Sequence, residues 1–529
     1  MIASDEPPLA ASDIKKNFQI MKEMVLSHRP VLRDILQKQG AKSLYDYACD
    51  YVNVNLNPPI QFRQDELIKT ISDEIERKFN KDLAKEVADQ LAHYYFINTT
   101  DHLGPVNHPW SLNTNLCIAA PFSEYGNEHL KNILVLSCAN VSLNNPSFPR
   151  GLIFNSCVNG EVKTHKLSFL PSNAHASCAF GFRPYTGKDI EKMHGLLRDK
   201  VNAKEVNVKE ADMIHAMLDE IYATPEVLEC KSYMDQISKT NFKLWKRFFH
   251  LSEDYVPGLV YLEQETIVEK LIINYHLYAD TTITHLLFDP DYDELVVKYF
   301  DGIMCAFDLK KKLGTYLFWG ISDQNNYRVQ LWKKGNQLVS EDGSFVLDLK
   351  PEAIKEALEQ KRIIPSIMLV FIVLCFYYGL KCLGGFSQVN YLTLMKNAYI
   401  RMQTDRGNYR SVEVCSRAQT KETDDAIVAF LGGPKGELIL ANGLDLMLYG
   451  KPDCWSKIIS EMKNITLEES FDPQMPSSYK FVFPEVERDP AVAAVTPEDV
   501  SKLTGLDKKF MPCAVIGEVG RSRGSDIVT

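Results

Sequence analysis

The sequence predicts an α/β protein with a Rossmann-like, mostly parallel sheet as its core, an N-terminal helical layer and a helical insertion. Three observations support this fold class. Apolar residues recur at helical spacing at the start of the chain, a strand, loop, helix and strand then follow, and a charged helical stretch precedes a second mixed region. A chain of 529 residues exceeds the size at which a single core stops growing, so we expect several structural units.

The first predicted unit is a helical layer over residues 1–92. Residues 13–39 and 65–92 place apolar side chains at helical spacing, with Lys and Glu between them. The period then changes, because "HYYFIN" predicts a short strand that ends at Asn98. Pro109 begins a predicted helix, since proline is favoured in the first helical turn. The following "NILVLSCANV" predicts a buried strand, so this segment forms a βαβ unit with parallel strands.

Four further units follow along the chain. They are the first half of the α/β core with the ligand loops, the helical insertion, the second half of the core, and a C-terminal α+β region with a tail, at residues 93–186, 187–257, 258–404 and 405–529. The dipeptide Asn159-Gly160 predicts a hairpin turn. We expect "TTITHLLFD" to form a strand and the stretch from Asp489 onward to be a loosely held tail.

The run "IIPSIMLVFIVLCFYYGL", residues 363–380, carries no charge over about the length of a membrane span. A helix fully buried in a large core is equally apolar all round. Pro365 near its start, and Tyr377 and Tyr378 near its end, favour a buried core helix. A membrane-associated chain stays open as the alternative.

The composition excludes several functional classes. A formal net charge of -10 and a pI near 5.7 weigh against nonspecific nucleic-acid binding, which needs clustered Lys and Arg. The 12 cysteines form no C-x-x-C pair, and several, such as Cys138 and Cys375, lie in apolar runs. This pattern predicts buried, reduced thiols in a cytoplasmic protein. The first residues contain no basic region followed by an apolar core, so we expect no secretory signal.

Two polar loops form the first candidate site. "FINTTDHLGPVNHPWSLNTN" follows the first predicted strand, and "ANVSLNNPSFPRG" follows the second. Parallel strands place both loops at the sheet edge where open α/β sheets bind ligands. Amides, a helix start and an arginine supply donors for an anion. The predicted ligand contacts are Gly104, Asn107, Pro109, Asn144, Asn145 and Arg150. Ordinary turns are the alternative, because Asn, Pro and Gly favour turns.

Asp101, His102 and His108 are the candidate catalytic residues. Imidazole titrates near working pH, so either histidine suits acid–base catalysis, with Asp101 expected to fix the tautomer of His102. The same residue types bind divalent metals, with His93 shortly upstream, but their spacing matches no zinc pattern and we predict no metal. No cysteine has an obvious His or basic neighbour in the sequence, so a thiolate nucleophile has little support. Neither nucleotide-loop motif, G-x-G-x-x-G or G-x-x-x-x-G-K-[ST], occurs here.

A second candidate site is "LKCLGGFSQVNYLTLM". Gly384 and Gly385 are expected to join two apolar helices, where a glycine pair lets the backbone approach a ligand. Gln388 and Tyr391 follow on the next helical face and are further predicted contacts. The alternative is a tight helix–helix turn capped by glycine.

Three segments in chain order, "DHLGPVNHPW", "IIPS" and "LGGFSQVNYLTLM", resemble the plan of the bacillithiol-synthesising cysteine ligase family and its uncharacterised relatives. Those proteins have a Rossmann-like core, a TGHQP-like early loop, a Gly-Gly-x-x-x-x-Tyr-like late element and a helical insertion. The resemblance implies a nucleotide-binding synthetase that joins an amino acid to an amine, with ATP or ADP as cofactor. The positions it carries over as ligand contacts are His102, Gly104, Pro109, Gly384, Gly385 and Tyr391. Asp101-His102 stands where the family has His-Gln, and no long coiled coil is evident.

We therefore expect a cytoplasmic α/β enzyme that binds a nucleotide or other anionic metabolite and performs ligation or group transfer. Two alternatives stay open, namely a metal-dependent hydrolase that uses Asp101, His102 and His108, and a noncatalytic interaction or membrane-associated protein. The expected partner is a small-molecule substrate, with no nucleic acid and no membrane. A homodimer also stays open.

Overall fold

A four-stranded parallel sheet lies at the centre of the protein, surrounded by helices. The fold is described from a computed structural model of residues 11–54, 61–124, 128–174 and 176–519.

Helices make up most of the regular structure of the described residues. They are α1 Ala11–Ser27, α2 Pro30–Gln39, α3 Leu44–Cys49, α4 Gln61–Lys78, α5 Lys81–His93, α6 Pro109–Glu124, α7 Gly187–Asn202, α8 Val208–Met217, α9 Pro225–Leu228, α10 Tyr233–Phe248, α11 Gln264–Leu271, α12 Thr282–Phe288, α13 Asp293–Phe300, α14 Pro351–Glu359, α15 Ile367–Phe371, α16 Gln388–Asp405, α17 Tyr409–Ser416, α18 Gly443–Tyr449, α19 Cys454–Asn464, α20 Leu467–Phe471, α21 Met475–Val482, α22 Pro490–Ala493, α23 Pro497–Thr504 and α24 Leu506–Lys509. Three helices continue as π-helical turns, at Leu218–Tyr222, Ile272–His276 and Ile372–Tyr377. Short 3-10 turns lie at Asp50–Val52, Ser172–Ala174, Pro290–Tyr292, Asp472–Gln474 and Glu485–Glu487.

The strands are short, and most lie outside the central sheet. They are β1 Phe96–Asn98, β2 Asn132–Ser137, β3 Gly151–Val158, β4 Glu161–Ser168, β5 Gly258–Glu263, β6 Phe307–Asp308, β7 Leu313–Gly314, β8 Phe318–Ile321, β9 Arg328–Val329, β10 Trp332–Lys334, β11 Gln337–Val339, β12 Val346–Asp348, β13 Ile363–Pro365, β14 Lys381–Leu383, β15 Phe430–Gly432 and β16 Leu438–Leu440.

The central sheet has the strand order β14-β1-β2-β5, and every neighbouring pair is parallel. The chain enters at β1, passes through α6 to β2 on one side and continues to β5. It then returns across the sheet to β14, on the other side of β1. The predicted βαβ unit is therefore present, and α6 begins at Pro109 as expected. The direction of strand addition reverses between β1 and β14, which makes that pair the topological switch point of the sheet.

Helices cover both faces of this sheet, and alternate strand residues belong to two separate hydrophobic cores. On one face Ile133, Val135 and Leu259 share a core with α6. On the other face Leu134 and Val260 pack with α4, α5 and α11. Burial on both faces explains why "NILVLS" is apolar without alternation, as parallel strands require.

The hairpin agrees with the sequence prediction, and the stretch predicted as a helical insertion is helical. β3 and β4 pair antiparallel, and Asn159 and Gly160 have φ angles of 54° and 77°, as a type I′ turn demands. Helices α7 to α10 then occupy the predicted insertion, and α10 packs against β5.

The prediction of a strand at "TTITHLLFD" is wrong, because these residues form α12. The Thr281 side chain caps the helix by accepting a hydrogen bond from the Thr284 N–H. Ile283, Leu286 and Leu287 fall at helical spacing and are buried. Capping and the buried helical face outweigh the β preference of the threonines.

The apolar run of residues 363–380 is buried as predicted, but it is not one helix. Ile363–Pro365 forms β13, which pairs antiparallel with β8. Ser366 then caps α15 by accepting a hydrogen bond from the Leu369 N–H, and the chain continues as a π-helical turn. In the part of the chain that the structure describes, no helix has the length and apolar character needed to cross a membrane.

Two further expectations fail near the C-terminus. The segment from Asp489 to residue 519 is not loosely held, because Val492, Val500 and Phe510 are buried in the core and α22 to α24 pack there. Cys454 of α19 is disulfide-bonded to Cys513, so the expectation that all thiols are reduced is wrong for this pair.

A buried ion-pair cluster joins α4, α10 and the end of β5. Lys78 Nζ lies 2.6 Å from Glu263 Oε1 and donates to Ser238 Oγ at 2.9 Å. Lys78 and Glu263 are almost completely excluded from solvent. Burial alone lowers the pKa of Lys78, but the surrounding carboxylates outweigh this and raise that pKa.

We predict that Lys78→Met lowers the free energy of unfolding by about 3–5 kcal/mol, because it leaves Glu263 buried without its cation. Urea denaturation of both proteins measures the difference. Lys69→Met, at an exposed ion pair with Asp73 on the same helix, is the control and should unfold like the wild type. Equal stability of the Lys78 variant and the wild type would show that the cluster contributes nothing.

Candidate functional site

A cleft of about 590 Å³ lies at the carboxyl edge of the central sheet. Segments that follow all four parallel strands line it. They contribute Thr99 and Thr100 after β1, Cys138 and Asn140 after β2, Gln264 after β5, and Gln388 after β14. The parallel alignment of the strands is what brings these residues to one edge, as expected for open α/β sheets.

The opposite wall of the cleft comes from the small sheets and apolar helix of the second half of the chain. The Arg328 Nη1 donates to the Asn140 main-chain oxygen at 3.0 Å, and its guanidinium lies 4.9 Å from the Trp319 ring centre. Lys311 also lines this wall, where it lies 3.4 Å from an Asp308 oxygen. The wall is completed by the apolar and aromatic side chains Ile367, Phe371 and Tyr391.

The loops after β1 and β14 meet closely at the topological switch point. Thr99 Oγ1 donates to the Leu383 main-chain oxygen at 2.8 Å and accepts from Gln388 Nε2 at 2.6 Å. A Cβ atom on Gly385 would lie 2.8 Å from Thr100 Cγ2, so only glycine permits this approach. Gly384 is tight as well, since a Cβ atom there would meet Gln388 Cγ at 2.9 Å.

The glycine pair therefore joins a strand to a helix, β14 to α16, and not two helices as the sequence suggested. Of the residues predicted in this segment, Gln388 and Tyr391 line the cleft, and the two glycines bring the neighbouring loop into contact.

His102 lies in the wall of the cleft with one ring nitrogen engaged. Its Nδ1 is 2.9 Å from Asn145 Oδ1, which also accepts from the Ser147 main-chain N–H at 3.1 Å. An atom that accepts from a main-chain N–H is the amide oxygen, so His102 Nδ1 must carry the proton. Burial lowers the pKa of His102, so the ring is neutral near pH 7. Its Nε2 therefore carries the free lone pair of a base.

Asp101 does not orient this imidazole, which corrects the role expected from the sequence. Its carboxylate accepts from Thr114 Oγ1 at 2.7 Å, Asn115 Nδ2 at 2.9 Å and the Tyr261 hydroxyl at 3.1 Å. These bonds tie the loop after β1 to α6 and β5. Burial raises the pKa of Asp101 to about 6, and the three donors reduce this effect.

His108 and Asn107 do not line the cleft. His108 Nδ1 accepts from the Trp110 N–H at 3.2 Å, and burial lowers its pKa to about 3. Asn107 donates to the Ile153 main-chain oxygen at 2.7 Å and accepts from the Leu444 N–H at 2.7 Å. Both residues organise the start of α6 and its contacts, so their predicted functional roles have no support from this geometry.

The other predicted contacts of the two loops lie outside the cleft wall too. A Cβ atom on Gly104 would be 2.8 Å from Pro149 Cα, so this glycine serves loop-to-loop packing. Pro109 begins α6, and Asn144 is exposed and accepts from Ser142 Oγ. The Arg150 guanidinium lies 5.6 Å from the Phe148 ring centre. Of the loop residues predicted to act together, the structure joins only His102 and Asn145.

Cys138 gains a histidine neighbour that the sequence did not show. Cys138 and His102 pair in an isolated parallel bridge, so their side chains leave the backbone on the same side, and both line the cleft. Cys138 Sγ also lies 3.5 Å from Glu265 Oε1. Burial and then Glu265 raise the pKa of the thiol, and burial raises the pKa of Glu265 to about 7.

Several cleft residues were missed by sequence reasoning. Gln264 is almost fully buried, and within the described residues its Oε1 has no hydrogen-bond partner. The available signal was its place at the end of the apolar run "GLVYLEQE", residues 258–265. Thr99 and Thr100 lay within the loop already singled out, whereas nothing in the sequence associates Trp319 or Arg328 with this edge.

The proposed metal set of Asp101, His102 and His108 does not converge. Asp101 faces α6 and β5, His102 faces Asn145, and His108 faces the Trp110 main chain. Among described residues, the one group of three whose ligand atoms converge lies elsewhere, at Asp89, His93 and His129.

Comparison with known proteins adds no family. The chain matches no protein-family model, and no curated protein is similar to it in sequence.

We predict that the wild type becomes less stable as pH rises from about 4 to 7, and that Asp101→Asn loses less stability over the same range. The pKa of Asp101 is about 6 in the folded chain against an ordinary 3.8, so the folded state binds the proton more tightly. Protonated Asp101 therefore contributes on the order of 3 kcal/mol to stability at pH values below its pKa in the unfolded chain. This contribution is lost as pH rises through the pKa of Asp101 in the folded chain. Urea unfolding at both pH values measures it.

Asp212→Asn, at an exposed position of α8, is the control for this pH comparison and should follow the wild type. A pH profile of Asp101→Asn that is parallel to the wild-type profile would exclude Asp101 as the titrating group.

Proposed function

We propose that the protein is an α/β enzyme that binds an anionic metabolite of nucleotide size in this cleft and performs ligation or group transfer. The observation that carries the proposal is the convergence of segments after all four parallel strands on one cleft that holds a neutral imidazole. A volume of about 590 Å³ falls within the range of small-molecule sites.

The sheet order supports a Rossmann-like interpretation of the core. Counted along the chain, β5-β2-β1-β14 is the order 3-2-1-4, which is shared with four strands of the Rossmann sheet. In such sheets the ligand occupies the crevice at the switch point, here between the loops after β1 and β14.

Positive groups favour an anionic ligand. α16 begins at Gln388, which lines the cleft, so the N-terminal end of an 18-residue helix lies at the site. Arg328 adds a side-chain cation, whereas Lys311 is paired with Asp308 of the same cleft. Trp319, Phe371 and Tyr391 offer flat surfaces for a planar group. The resemblance to cysteine ligases makes ATP and ADP the first ligands to test and an amine the expected acceptor.

His102 is the proposed general base. As an amine or hydroxyl attacks an acyl or phosphoryl centre, Nε2 of His102 takes its proton, and the leaving group departs with the bonding electrons. Asn145 keeps the proton on Nδ1 and stabilises the ring once it is charged. Arg328 and the start of α16 offset negative charge on the bound group.

We predict that ATP or ADP raises the melting temperature of the wild type, because a ligand that binds only the folded state stabilises it. Arg328→Lys, which keeps the charge but loses the planar fork, should weaken binding about tenfold and reduce the shift. His102→Gln should keep the shift and lower turnover of the bound nucleotide with added amines by about 100-fold or more.

Arg183→Ala, at an exposed site away from the cleft lining, is the control for these melting curves. No shift with either nucleotide in the wild type would reject nucleotide binding. A shift that Arg328→Lys leaves unchanged would place the nucleotide elsewhere on the protein.

A second candidate function, acyl transfer through Cys138, is favoured by the His102–Cys138 bridge. In this reaction the thiol proton passes to His102 Nε2 and the sulfur attacks the acyl carbon. The leaving group departs with that proton, and an amine or water then releases the acyl group. Glu265 opposes this reaction, because its contact with Sγ holds the thiol protonated at rest.

We predict that Cys138 resists iodoacetamide at pH 7 in the free protein, because burial and Glu265 raise the pKa of its thiol. Peptide mass spectrometry measures the modification, with the partly exposed Cys230 as the reference thiol. Fast modification of Cys138 that His102→Gln abolishes would contradict this expectation and place covalent acyl transfer first.

A further inference from the structure

Asp89, His93 and His129 bring three metal-binding side chains together on the protein surface. One potential ligand atom from each residue lies within 4.8 Å of the other two. Asp89 and His93 are four residues apart on α5, so they share a helix face, and His129 approaches from the segment before β2. His129 Nδ1 is 2.7 Å from Asp89 Oδ2.

The two imidazoles are held next to each other. Their ring centres are 3.7 Å apart with an angle of 11° between the planes, so the rings stack. Both stacked side chains also lie beside the Asp89 carboxylate, His93 Nδ1 at 3.7 Å and His129 Nδ1 at 2.7 Å. Neutral imidazole is the form that binds metals.

We propose that Asp89, His93 and His129 form a binding site for a divalent transition metal such as Zn²⁺, which links the end of α5 to the start of β2. Two imidazole nitrogens and one carboxylate oxygen suit Zn²⁺, and solvent fills the remaining positions at such an exposed site.

The position assigns this site a structural role. His93 and His129 lie shortly before the first residues of β1 and β2, so the three residues lie at the amino edge of the sheet. The cleft lies at the carboxyl edge, which the strands separate from this cluster. The metal would therefore stabilise the fold without touching a ligand in the cleft, and the inference is independent of the proposed enzyme function.

The competing interpretation is a simple surface pair of Asp89 and His129. Hydrogen bonding to His129 is the largest cause that lowers the pKa of Asp89, with smaller effects of His93 and Lys131. Lys131 lies beside the cluster and forms an ion pair with Glu86 at 3.4 Å. The pair alone explains the contact of Asp89 with His129. His93 Nδ1 donates separately to the Asp89 main-chain oxygen at 2.9 Å, which leaves His93 Nε2 as the nitrogen with a lone pair for a metal.

The test is calorimetric titration of the full-length, chelator-treated protein with Zn²⁺, compared with His93→Ala and His129→Ala. We expect one equivalent bound by the wild type and affinity lowered at least about tenfold in each variant. All three side chains are partly or fully exposed, so both variants should fold, and far-UV circular dichroism checks this.

His285→Ala is the matched control. His285 is also four residues from an aspartate on a helix and contacts Asp280, but it has no second histidine beside it. It should bind Zn²⁺ like the wild type. Co²⁺ spectra distinguish this site from cysteine sites, because histidine and carboxylate ligands give no thiolate charge-transfer band.

Absence of stoichiometric Zn²⁺ binding in the wild type, or wild-type affinity in both histidine variants, would overturn the proposal. His129→Ala should keep the nucleotide-induced rise in melting temperature of the wild type. A result at the metal site is therefore distinguishable from a failure of the proposed nucleotide binding in the cleft.

Discussion

The parallel hydrogen-bond ladder of β14, β1, β2 and β5 is the constraint on which the rest of the structure depends. Because the strands run in one direction, all four end at the same edge. Because helices cover both faces, most strand side chains are apolar, and the polar residues of the cleft come from segments just beyond the strand ends. The cleft is the consequence, since those segments supply Thr99, Asn140, Gln264 and Gln388 to one space.

The return of the chain from β5 to β14 brings two loops that are distant in the chain together at the cleft. The loops after β1 and β14 belong to distant parts of the chain and are joined by the contact of Thr99 with Leu383 and by the close approach of Gly385 to Thr100. This places the start of α16 beside the first loop. The positive end of a long helix and the neutral imidazole of His102 therefore face the same cleft, although neither is near the other in sequence.

The side chains of the adjacent residues Asp101 and His102 face different surroundings. The Asp101 carboxylate is directed inward, where donors from α6 and β5 hold it and so fix the loop. The imidazole of the next residue is then available to the cleft, and Asn145 sets its tautomer. A buried acid with a raised pKa is in this case a loop anchor, and the proposed general base is its neighbour.

Much of the local structure follows from the sequence alone. Pro109 starts a helix because its fixed φ suits a first turn, and Asn159-Gly160 forms a hairpin because both residues adopt positive φ. The apolar run before Cys138 forms a buried parallel strand. Where local signals conflicted the outcome differed, since Thr281 caps a helix in a segment whose threonines favour a strand.

What the sequence by itself determined is the first βαβ unit, the hairpin and the loops that reach the sheet edge, because these depend on short-range periodicity and turn chemistry. Only the tertiary structure decided that His102 contacts Asn145 and pairs with Cys138, that Arg328 completes the cleft and that the glycine pair follows a strand. These contacts join residues distant in the chain. Their geometry arises from strand order and long-range packing, which no local pattern encodes.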